Sequence, residues 1–222
     1  MSASEPQSPP PGRLAAADGR LPGRRGRATR KKLLDATAAL LETTGYRDLK
    51  VVDIARRAGT SPATFYQYFP EVDAAIVLLA GEMADEGSSL AEAARGPWTE
   101  GAAYGTAVSL VGGFMDFWER HQAVLRVVDL AIAEGDPRFR EIRTHMLNPV
   151  TVALEEAIAA AQRPGISDAR ASAAVLVSMV AHVAEHRRGL EAWGVRASSA
   201  VHSMAELIAW TVGRASSTDG RR

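Results

Sequence analysis

Residues Val51 to Pro70 read VVDIARRAGTSPATFYQYFP, and this stretch decides the fold. Ile54, Ala55 and Ala58 recur at three- and four-residue spacing and make one apolar face of a short helix, with Asp53, Arg56 and Arg57 on the other. Gly59 ends that helix, because glycine is the residue most easily placed past a helix terminus. Ser61 suits the N-cap of a second helix, and Pro62 its first position, where a missing amide hydrogen costs nothing. Phe65 and Phe69, four apart, turn one side of this second helix back onto the first. Thr60, Ser61, Pro62, Ala63, Thr64, Tyr66, Gln67 and Tyr68 are then shared out around the remaining surface, which is small, polar and aromatic. Such residues reach phosphate oxygens and base edges. Two short helices joined by a tight glycine turn are the pattern of a DNA-reading helix-turn-helix.

Working outward, Leu33, Ala36, Leu40 and Leu41 keep helical spacing between about Thr29 and Thr44, and Gly45 closes the run. This is the first helix of a three-helix head whose small core also takes Ile54, Phe65 and Phe69, with Tyr46 and Leu49 at its edge. Before it, residues 1–27 hold five prolines and almost no large apolar side chains, so they read as a disordered arm. The end of the arm and the helix entrance are basic: Arg20, Arg24, Arg25, Arg27, Arg30, Lys31 and Lys32. Arg27, Arg30 and Lys50 are read as DNA contacts, and the arm as lying along the phosphates or entering a minor groove; for Arg20 to Arg25 a solubilising tail is the alternative. The formal net charge of zero conceals an asymmetry, since residues 1–70 carry 12 Lys and Arg against 6 Asp and Glu, and residues 71–222 carry 14 against 20. A basic front on an acidic body suits a protein in which only one end meets a polyanion.

The run DIA, followed by AGTSPATFYQYFP, resembles the TetR family of bacterial transcriptional regulators, and the motif resemblance spans about residues 28 to 80. The resemblance implies an all-α protein: a three-helix helix-turn-helix DNA-binding head and a larger helical ligand-binding and dimerisation body. Together with composition, which marks residues 1–27 as the arm and 214–222 as a frayed tail, it leaves 28–71 for the head and 72–213 for the body. Two departures stand out. Lys50 and Val52 replace the more usual Thr and polar residue, and Glu71, Val72 and Asp73 replace the family's Ser-Lys or Asn-Lys, so a phosphate-contacting lysine is missing there.

Beyond the head every periodic stretch is helical, and no strand pattern or repeat is visible. The expected helices run from Val72 to Ala94, Thr99 to His121, Gln122 to Ala133, Pro137 to Ala161 with a bend at Pro149, Ser167 to Trp193, and Ser198 to Gly213. The last two, with their apolar runs, are expected to form a homodimer. The segment GAAYGTAVSLVGGFM, residues 101–115, has no charge and should be buried; its Gly112-Gly113 pair costs about 1 kcal/mol per glycine against alanine and asks for a packing or ligand-access reason. The family resemblance implies an effector cavity, for which Tyr104, Phe114, Trp118, Met146, Met179 and His182 are candidate lining residues and Asp116, Asp129 and His182 candidate orienting groups. The scarcity of charge makes the effector small and lipophilic.

Cysteine is absent, which excludes disulfides, zinc-thiolate sites and thiol nucleophiles. The opening MSASEPQSPPPG has no apolar core of signal-peptide length, so a cytoplasmic protein with no membrane partner is expected. His182, Glu185 and His186 spell H-x-x-E-H, an inverted zincin pattern, and a zinc hydrolase is the rival from another class. A third ligand would have to come from elsewhere. There is no Walker loop, dinucleotide-binding glycine pattern or G-x-S-x-G elbow, and neither catalytic residues nor a cofactor is expected. The leading expectation is a repressor on a palindromic double-stranded operator, released by its effector. A constitutive DNA-binding protein without effector is the second alternative.

Overall fold

The structure, a computed structural model, describes residues 23–213, and every regular element among them is helical. In order these are α1 (Arg24–Leu41), a 3-10 turn at Tyr46–Asp48, α2 (Val51–Arg57), α3 (Pro62–Tyr68), α4 (Val72–Gly87), α5 (Ser89–Ala94), α6 (Ala103–Ala133), α7 (Pro137–Ala161), α8 (Ala169–Ala192) and α9 (Ala197–Val212). The arm before residue 23, Arg20 included, and the tail after residue 213 lie outside the described residues. The fold is all-α, a helix-turn-helix head followed by a larger helical body. None of these helices is long and apolar enough to cross a membrane.

The chain divides into two compact units. One takes the described residues up to Met83 together with Ala123–Ile142, and the other Ala84–Gln122 together with the residues from Arg143 onward. The sequence boundary at residue 71 follows the motif, whereas compactness groups the second part of α6 and the start of α7 with the head.

Within the first unit α1 packs on α2 and α2 on α3. Leu33, Ile54, Phe65, Phe69 and Ile76 are sealed from solvent, and the Phe65 and Phe69 rings meet at 5.4 Å between centroids. Thr37, also buried, donates its hydroxyl to the Leu33 carbonyl at 2.8 Å and so does not itself stand unpaired in the core. Three ties join the head to the 123–142 segment or to α4. Arg126 donates to the last carbonyl of α1, Leu41, at 3.3 Å; Arg47 pairs with Glu134; and the Tyr46 hydroxyl donates to Asp73 at 2.9 Å. Partial burial, then the adjacent Asp73 carboxylate, push the Tyr46 phenol up to about 12, so it stays a neutral donor throughout the physiological range. A groove of about 300 Å³ lies between the Leu41–Tyr46 connection and Ala123, Arg126, Val127 and Leu130.

Three helix expectations change. The expected helix from Val72 to Ala94 breaks at Ser88. Just before the break, a Cβ on Gly87 would stand 2.6 Å from Met146 Cγ, so glycine is what lets α4 approach α7 there. The break expected between His121 and Gln122 is absent, and α6 runs unbroken for 31 residues. Glu119, Arg120 and Gln122 are exposed there and His121 turns inward, and neither proline nor glycine stops the helix. α1 begins at Arg24, so the last residues of the span read as an arm are helical. Pro149 stands inside α7, where it removes the amide that would bond the His145 carbonyl.

Candidate nucleic-acid interface and body core

The turn between α2 and α3 is built as its residues dictate. Gly59 takes φ +66°, its N–H donates to Arg56 O at 3.2 Å, and Thr60 N–H reaches back to Ala55 O at 2.9 Å. This pair of bonds is a Schellman closure, which needs a left-handed residue at Gly59. Ser61 caps α3, accepting from Thr64 N–H at 3.1 Å, with Pro62 at the first helical position. With Phe65 and Phe69 buried, the opposite side of α3 is left in solvent: Ser61, Pro62, Ala63, Tyr66 and Gln67 are exposed, and Thr64 and Tyr68 half-buried. Tyr66 is 53% exposed, an aromatic side chain that buries little in this chain, and its ring stands edge-on to Phe65 at 5.8 Å.

The remaining expected DNA contacts are spread more widely. Lys50 is exposed at the N-cap of α2, beside Val52, which is exposed as well. Arg27 is exposed on the first turn of α1, whose N-terminus carries no acidic residue. Positive side chains there oppose the helix dipole, so Arg24, Arg25 and Arg27 do not stabilise α1 through it. Arg30 is half-buried with its guanidinium 5.9 Å from the Phe69 ring centre. Thr60 donates inward to Ala55 O at 3.4 Å, and the Ser61 and Thr64 hydroxyls lie 3.0 Å apart, so all three help to hold the turn. Arg56 and Arg57, exposed on α2, add cations that the α3 motif did not single out; Arg56 pairs with Asp53 at 3.1 Å.

The family model described as bacterial regulatory proteins of the tetR family matches residues 33–71, the segment that builds this head. A second, described as the tetracyclin repressor-like C-terminal domain, matches residues 90–218, more than half of the chain. The chain belongs to the TetR family of transcriptional regulators. Comparison with curated proteins yields no match. Among solved structures, a TetR-like fold recurs in the fatty acid degradation regulator FadR from Bacillus halodurans, at 17% identity and TM-score 0.64, covering 81% of this chain and 94% of that one. A transcriptional regulator from Rhodococcus sp. Rha1 is similar at 19% identity and TM-score 0.65, covering 82% and 95%. FadR from Bacillus subtilis, solved in complex with stearoyl-CoA, is similar at 18% identity and TM-score 0.63, covering 81% and 97%. These proteins are regulators rather than enzymes.

In this TetR-family body the expected effector residues fall into two groups. Phe114, Trp118 and Met146 are buried in the second unit. Trp118 stacks on Phe114 at 5.5 Å, meets Phe117 at 5.6 Å and lies under the Arg143 guanidinium at 5.6 Å. Its indole N–H is buried and finds no acceptor among the described residues. His121 packs on Phe117 at 4.6 Å and faces Glu86 at 3.0 Å; burial pushes its imidazole below the usual value, and the Glu86 carboxylate opposes but does not outweigh this.

Tyr104, Met179 and His182 stand elsewhere. Tyr104 is exposed beside His202, Met179 is half-buried, and His182 is exposed and stacked on His186. Of the expected orienting groups, Asp116 is exposed and Asp129 belongs to the first unit. His121 and Arg143 are the polar groups found at the Trp118 cluster. Sequence reasoning missed both, because their approach depends on how α6 and α7 pack. The glycine pair has no packing reason: a Cβ at Gly112 would meet nothing within 4 Å, and one at Gly113 would make ordinary contact with Leu90.

Proposed function

We propose that this TetR-family regulator binds a palindromic double-stranded operator as a homodimer through the Ser61, Ala63, Tyr66 and Gln67 face of α3, and that a small lipophilic effector in the body releases it. The observation that carries the first half is the exposure of Tyr66 and Gln67 on a helix whose other side is pinned by Phe65 and Phe69. A short helix of this kind enters a major groove, and two of them related by a twofold axis read half-sites about one helical turn apart. The homodimer is supported by α9, where Met204, Ala205, Ile208 and Val212 are buried while Leu207 and Trp210 on the other side remain exposed. A body with such a face gains by burying it against a second copy.

The effector half rests on the Trp118 cluster. A buried indole donor without an acceptor costs about 1–3 kcal/mol, which a ligand carbonyl at that point would recover. Phe114, Phe117 and Met146 supply apolar walls, and the ligand class that agrees with them is a fatty acyl chain, in keeping with the stearoyl-CoA bound by the Bacillus subtilis protein. Release is a population shift: the ligand prefers a dimer geometry whose α3 helices no longer match successive grooves.

A thermal-shift series of fatty acids and acyl-CoA esters, followed by operator binding with those that stabilise, tests this. Stabilising ligands are expected to weaken operator binding, because anything that binds only the folded body raises its melting temperature and the coupling is reciprocal. Trp118→Phe, which removes the N–H and keeps an aromatic ring, should weaken the ligand by about tenfold, the worth of one hydrogen bond. Ligands that stabilise the protein yet leave operator affinity unchanged would instead support constitutive DNA binding.

A further inference from the structure

The H-x-x-E-H residues of α8 have no part in the regulator reading, yet the fold brings them together. His182 and His186 lie one helical turn apart with ring centroids at 4.1 Å, and with Glu185 they offer three ligand atoms all within 4.8 Å of one another. We propose that His182, Glu185 and His186 form a surface binding site for a divalent transition-metal ion of the zinc class, a site that binds without catalysing hydrolysis.

The donor set determines the class of ion. Two imidazole nitrogens and one carboxylate oxygen suit zinc, cobalt, nickel or copper, whereas calcium and magnesium take oxygen ligands almost throughout. Bonds of about 2.0–2.1 Å to a tetrahedral ion place neighbouring ligand atoms about 3.3 Å apart. Closing the present spread to that distance calls for side-chain rotation by His182, which is exposed, and by Glu185, which is half-buried. One histidine is already oriented. His186 Nδ1 lies 3.1 Å from the His182 carbonyl, and since a carbonyl only accepts, Nδ1 carries the proton and Nε2 presents its lone pair. Metal-binding histidines have such an outer hydrogen bond as a rule, because it fixes the tautomer and the ring.

Two neighbouring features favour binding. Arg187, next in sequence, is drawn away from Glu185 by a two-pronged pair with Glu119 at 3.1 and 3.2 Å, so it does not compete for the carboxylate. The backbone leaves helical geometry at His186, at φ −103° and ψ 18°, where the turn from 182 to 186 ends, so the two histidines keep their one-turn spacing. Glu185 within the ligand set is what separates this site from an inverted zincin, where the glutamate must be free to act as general base.

The test is calorimetric titration of the metal-stripped full chain with zinc chloride, repeated by absorption with cobalt chloride. The expected result is about one ion per chain, an affinity at least about tenfold lower in His182→Ala and in His186→Ala, and no specific binding in the double variant. Zinc should also raise the melting temperature of the natural chain and not of the double variant. Glu185→Gln, which keeps shape and removes charge, should weaken binding while leaving the circular dichroism spectrum unchanged. Binding of zinc by the double variant with unaltered affinity and stoichiometry would overturn the site, as would a natural chain that binds neither zinc nor cobalt.

Discussion

Tyr66→Ala is expected to weaken operator binding by on the order of 100-fold or more, with helix content and oligomer mass unchanged. The side chain is 53% exposed and its contact with Phe65 is a single edge-on one, so little folding energy is lost with it. On DNA it is lost twice, once in each half-site, and about 1–3 kcal/mol for each is multiplied into the affinity of the dimer. Phe65, one residue earlier, should behave in the opposite way. It is sealed in the head core, and Phe65→Ala should unfold the head rather than alter recognition. Fluorescence anisotropy on a cognate duplex, with circular dichroism of each variant, separates the two outcomes. A Tyr66→Ala protein that binds at full strength would mean that α3 presents a different face.

The second large effect is on assembly. Leu207→Glu should give monomers that bind the full operator at least about 100-fold more weakly, because one half-site supplies only half of the contacts. Adjacent residues make the experiment clean: Leu207 is 53% exposed, while Ile208 is fully buried in its own chain, so a charge at Ile208 would unfold α9 and say nothing about an interface. Trp210 is exposed as well, but its ring carries the Arg163 guanidinium at 5.1 Å, which makes Leu207 the simpler choice. Analytical ultracentrifugation decides it. An intact dimer in Leu207→Glu would move the interface away from α9.

The head was legible because its determinants are local. Gly59 takes the left-handed conformation that its place after α2 requires, Ser61 and Pro62 open α3, and the four-residue spacing of Phe65 and Phe69 decides which side turns inward. Each of these follows from one residue and its near neighbours. The body is governed by contacts between distant segments, and there the sequence is silent. Gly87-Ser88-Ser89 is a local signal of the break that the expected helix ran through, but the close approach of Met146 on another helix, which needs Gly87, has no such signal. Likewise His121 and Arg143, the polar groups found beside Trp118, carry no local signal, whereas Tyr104 and His182, which look suitable by composition, face solvent. Periodicity shows that a helix has a buried face without showing what is buried against it.

Selection of double-stranded DNA from a random pool by the full chain, followed by sequencing of the bound fraction, tests most directly whether α3 is a reading helix. Enrichment of an inverted repeat with half-sites about one helical turn apart is the predicted result, with Gln67→Ala relaxing the preference at one position in each half-site by about 1–3 kcal/mol. Recovery of unrelated sequences, bound only as strongly as the salt-dependent attraction between basic side chains and phosphates allows, would contradict it.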